Sequence, residues 1–134
     1  MTATHRVLRW LAILPVLYVS WHIALIVGMV LLTTAEAFCP PEQMVSGLCV
    51  AEWFLWVEGA IFMFGAGLAA ALMVASVAVV APAHRARVAT VVFVAGLLLA
   101  AYLGVTADAL KEFAAAVIAG LVTLLVVIRW DRTI

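Results

Sequence analysis

Charged side chains divide this sequence into long blocks that contain none. Twenty-six residues without formal charge separate Arg9 from Glu36, and another 26 separate Glu58 from Arg85. The intervals Arg87–Asp108 and Glu112–Arg129 hold 20 and 16 such residues. A helix rises about 1.5 Å per residue, so about 20 apolar residues cross a hydrocarbon core of about 30 Å. The pattern predicts four transmembrane helices, at about 10–34, 52–81, 88–107 and 112–130. The last run is short, but Lys111 and Arg129 can snorkel and Trp130 suits an interface. The expected fold is an all-α integral membrane protein: one domain over residues 1–134, a four-helix antiparallel bundle.

The connections suit that architecture. Residues 82–87 (Pro82-Ala83-His84-Arg85-Ala86-Arg87) and 108–111 are short turns, which make neighbouring helices antiparallel. Only the 35–51 loop is long, and Pro40-Pro41 with Ser46-Gly47 gives it turn chemistry. A signal-peptide reading of the first block, ending at Ala35-Glu36-Ala37, is the alternative, and length favours a retained helix. Its apolar stretch has 23 residues, against about 7–15 in a signal peptide.

Composition agrees with the blocks and excludes other classes. Of 134 residues 69% are hydrophobic and only 10% charged, and the mean hydropathy is +1.32. A soluble domain carries about a quarter charged residues. Neither a disordered tail nor a nucleic-acid binder with a basic face fits these figures.

The net charge of zero hides a polarised chain. Arg6, Arg9, Arg85, Arg87, Arg129 and Arg132 fall on one predicted side with Asp131. Glu36, Glu42, Glu52, Glu58, Asp108 and Glu112 fall on the other with Lys111. The positive-inside rule then puts both termini in the cytoplasm and the 35–51 loop outside, as in a bacterial inner (plasma) membrane. Arg85 and Arg87 are expected to meet lipid headgroups.

Cys39 and Cys49 both lie in the outer loop, so a structural disulfide is expected. Closing about ten residues stabilises by about 2–3 kcal/mol in the chain-entropy description. The catalytic alternative wants Cys-x-x-Cys, which is absent. Small residues at every fourth position, Gly67-Ala71-Ala75 and Gly96-Ala100-Gly104, predict close helix packing within the chain or at a seam with a partner.

Ionisable groups at membrane depth cost at least about 2.5 kcal/mol and mark candidate function. His22 is near the middle of the first helix and Glu58 about two turns into the second. Pro15, Tyr18, His22, Met29, Thr33 and Glu36 share one helical face, and Pro15 predicts a kink. His22, Glu58, Asp108, Glu36 and Tyr18 are therefore the candidate ion or proton path. The competing expectation is that His22 bonds Tyr18 or Tyr102 and Glu58 reaches the interface. Helical rise separates His22 and Glu58 in depth, so a Glu58–Asp108 carboxylate pair is the better dyad.

No catalytic residue and no metal-ligand set is recognised, and the five Met residues read as core filling. The leading expectation is a non-catalytic accessory or assembly subunit of a larger membrane complex, partnered by lipid and by other subunits or itself. The second is a small oligomeric transporter or channel for protons, cations or a hydrophobic cation. The third is a redox protein using His22 with haem or quinone, and a lipid-acting enzyme comes last. No cofactor is expected under the first two.

Overall fold

The computed structural model describes residues 3–133, with side chains from Val7 onward; the expectation for the Arg6 side chain lies outside the described residues. Its helices are α1 (Ala3–Leu11), α2 (Ile13–Glu36), α3 (Glu52–Val80), α4 (Arg85–Thr106) and α5 (Leu110–Thr133). The stretch Val7–Glu36 makes one rod, and with α3, α4 and α5 gives four helices long and apolar enough to cross a membrane. The break between α1 and α2 falls at Ala12, three residues before Pro15. Proline lacks the N–H that would bind Leu11, and the ladder loosens there. Ala12 stays helical in its dihedrals and accepts from Val16 N–H at 3.1 Å, so the ladder resumes past the break.

The helices outrun the charge-free blocks. α5 starts at Leu110 and ends at Thr133, taking in Lys111, Glu112, Arg129 and Asp131. Arg85 and Arg87, expected in a turn, instead form the first turn of α4. Charge bounds the apolar span, whereas the backbone ladder continues past it as long as nothing breaks it. The actual turn falls on Pro82 and on His84, whose φ of 53° is left-handed.

The long loop has more order than its turn residues suggested. Pro41–Gln43 forms a 3-10 turn, followed by a two-stranded antiparallel ribbon, β1 (Met44–Val45) and β2 (Leu48–Cys49). Ser46 and Gly47 join them with φ of 52° and 84°, the two positive values that a type I′ turn requires. Cys39 and Cys49 lie at disulfide distance, with sulfurs 2.05 Å apart. Cys49, Ala51 and Phe54 are buried against Leu32 and Ala35, which fasten the ribbon to the end of α2.

α3 is the hub. Its two large seams are with α2 and α5, while α4 leans on α5 and α3. At the α3–α5 seam a Cβ added to Gly67 would meet the Ala119 methyl at 3.4 Å and the Ala115 carbonyl at 3.5 Å, so small residues face small residues. A Cβ on Gly120 would stand 2.9 Å from the Phe93 ring of α4. Val74, Ala78, Ala89, Leu124 and Val127 close the core at the end opposite the disulfide. There, Arg9 donates from Nε to the Val80 carbonyl at 3.0 Å and from Nη2 to that of Val79 at 3.1 Å. These are orphan carbonyls at the negative end of the α3 dipole, where a cation is favoured. The contact fixes α1–α2 antiparallel to α3.

One polar pair crosses the α2–α3 seam. Ser20 Oγ donates to Ser76 Oγ at 3.0 Å, and Ser76 Oγ donates to the Met73 carbonyl at 3.2 Å. Ser20 is buried, and the relay satisfies its hydroxyl within the seam.

Candidate functional site

The stripe on α2 exists, and it lies on the outside of the chain. α2 has a large seam with α3 and none of comparable size with α4 or α5, which leaves its other flank uncovered. Leu14, Pro15, Tyr18, Ile26, Met29 and Thr33 are exposed along that flank, and His22 among them is half-buried. Tyr18, 66% exposed, packs against His22 with ring centroids 4.0 Å apart and planes tilted by 39°. His22 Nδ1 lies 2.8 Å from the Tyr18 carbonyl oxygen. A carbonyl only accepts, so Nδ1 carries the proton, and in the neutral ring Nε2 is left as an acceptor. The partner of His22 is thus the backbone of Tyr18, neither tyrosine's hydroxyl. Thr33, further along, donates to the carbonyls of Met29 and Val30 at 3.0 and 3.1 Å.

The remaining candidates are dispersed. Ser20 meets Ser76, so His22 lies two residues from that level, whereas Glu58 lies about 27 Å of helix away along α3. The two share no depth. Glu36 is half-buried at the last turn of α2. Asp108 is exposed in the α4–α5 turn with a left-handed φ of 53°. The Ala109 N–H reaches the Gly104 carbonyl at 2.9 Å around it, the six-to-one bond of a Schellman cap. Asp108 therefore has a backbone task of its own. Among the described residues, no hydrogen bond joins His22, Glu58, Asp108 and Glu36 to one another. No three His, Cys, Asp or Glu side chains among those residues gather to hold a metal ion.

The small-residue stripes divide between seam and cavity. Gly67 is in the α3–α5 seam, and Ala71 and Ala75 are half-buried beyond it on α3. Gly104 packs on Phe113, with 3.1 Å from an added Cβ to that side chain. Gly96 is exposed and an added Cβ would meet nothing within 4 Å. With Ala100 it lines an apolar cleft of about 500 Å³ between α3, α4 and α5. Trp21 of α2 borders the cleft, and Glu112 stands at its disulfide end. Arg85 lines a separate shallow crevice beside Trp130 and Asp131, and Arg87 is exposed.

Sequence reasoning had no access to the cleft, because its walls come from three helices and contain no motif. Ser20 and Arg9 escaped for a related reason: their partners lie 56 and 71 residues away. Comparison with protein-family models, with curated proteins and with solved structures returned no match.

Proposed function

We propose that this chain is a non-catalytic accessory or assembly subunit of a larger membrane complex, docked through the outer flank of α2. In this reading it spans a bacterial inner membrane four times, with both termini cytoplasmic and the disulfide-tied ribbon extracytoplasmic. The Arg-rich end, from Arg9 to Arg132, then faces the cytoplasm, as the positive-inside rule requires.

The Tyr18–His22 ring pair on an uncovered flank carries the proposal. Within a bilayer a phenol and an imidazole nitrogen without partners are costly, and such groups are found facing protein. A neighbouring helix that donates to His22 Nε2 removes the cost and makes the contact specific. The ribbon at the end of the same helix offers that neighbour a second, rigid surface outside the bilayer.

A photo-cross-linking amino acid at Ile26, one turn beyond His22 and 62% exposed, tests this in native membranes. The expected product is a single adduct with a different protein, absent when the probe is at Leu98 of α4, which is 68% exposed. An adduct at a multiple of 14.3 kDa would assign the flank to self-association, as in an oligomeric transporter, and no protein adduct would remove the docking role.

A further inference from the structure

The cleft between α3, α4 and α5 lies away from the α2 flank and has its own chemistry. Its volume of about 500 Å³ is in the range of small-molecule sites, and its walls are almost wholly apolar. On α4 the lining runs from Val92 to Gly104, which is about 18 Å of helix. That is close to the depth of one leaflet, about 15 Å or half of a 30 Å hydrocarbon core. On α4 the cleft is displaced toward the disulfide end and stops short of Arg85, while its α3 wall runs from mid-helix at Ala66 to Val74. Its one ionisable lining residue is Glu112, in the first turn of α5 at that end.

A slot one leaflet deep, apolar along its length and acidic at the interface, has the shape and charge of a lipid site. We infer that the cleft holds one acyl chain of an outer-leaflet glycerophospholipid whose head bears an ammonium group, with the ammonium at the Glu112 carboxylate. The acidic residues at this end, Asp108 and Glu112 among them, outnumber Lys111 and disfavour a purely anionic head. Trp21 packs along the chain from α2, so an occupied cleft would link α2 to α4 where protein contact is slight.

The test uses the full chain in mild detergent, offered dioleoyl phosphatidylethanolamine or dioleoyl phosphatidylglycerol, with retained lipid counted by native mass spectrometry. One phosphatidylethanolamine should be retained at least about tenfold over phosphatidylglycerol, a difference of about 1.4 kcal/mol. Glu112→Gln should erase that preference and keep the apolar binding. Gly96→Leu should cut retention of both lipids about tenfold; an added Cβ there meets nothing within 4 Å, and an unchanged melting temperature would show that the fold is kept. Equal retention of the two lipids by the native chain would overturn the assignment of the head. Retention unchanged by Gly96→Leu would reduce the cleft to ordinary annular contact. A protein adduct from a photo-cross-linker at Leu99, in place of a lipid adduct, would give the cleft to a partner helix and overturn the proposal.

Discussion

At Gly120 a Cβ would stand 2.9 Å from one Phe93 ring carbon and 3.1 Å from another, closer than carbon atoms pack. Gly120→Ala must therefore push the ring out of the α4–α5 seam, which costs about 1–3 kcal/mol. Helix propensity returns at most about 1 kcal/mol, so the seam wins. Gly96→Ala gains the same propensity and meets nothing. Thermal unfolding in detergent should show Gly120→Ala melting below the native protein and Gly96→Ala at or above it. Equal melting of the two variants would show that Phe93 does not lock the seam. Both glycines sit in runs of small apolar residues, and sequence gave no means of telling them apart. Four-residue spacing marks where backbones can approach, but the opposing ring that decides Gly120 comes from a different helix.

Among the elements, the α4–α5 connection shows a candidate site residue doing structural work. Asp108 holds the left-handed position at which α4 ends, with the Ala109 N–H closing on the Gly104 carbonyl. Glycine occupies such positions without steric cost, and aspartate tolerates them better than alanine does. Asp108→Gly should leave the melting temperature unchanged or raise it, whereas Asp108→Ala should cost about 1 kcal/mol. If both lower stability alike, the carboxylate has a role beyond the turn. The four spans were legible in the sequence because the cost of placing charge in hydrocarbon is local and depends on no tertiary contact. Their ends were less so: α5 carries Lys111 and Arg129 inside its ladder, where charge marks an interface and not a helix terminus. The ribbon at Met44–Cys49 was missed because two-residue strands are too short to show alternation, although Ser46-Gly47 gave the turn.

For the whole molecule, the question is which surface faces protein and which faces lipid. The face of α2 carrying Tyr18 and His22 was legible from helical periodicity. Its position on the outside was not, since that depends on α3 taking the opposite face through Ser20 and Ser76. The same geometry separates His22 from Glu58, so a path combining them finds no support within one chain. The proposed docking role rests on the uncovered α2 flank and its polar pair. Affinity isolation of the tagged chain from native membranes in mild detergent, compared with its His22→Leu variant, tests this most directly. The His22 ring bonds only its own helix backbone at Tyr18, so the variant keeps the fold. The account predicts a second protein in fixed stoichiometry with the native chain, depleted at least about tenfold, or about 1.4 kcal/mol, by His22→Leu. Recovery of the chain alone or as multiples of itself, or a partner retained equally by the variant, would contradict it.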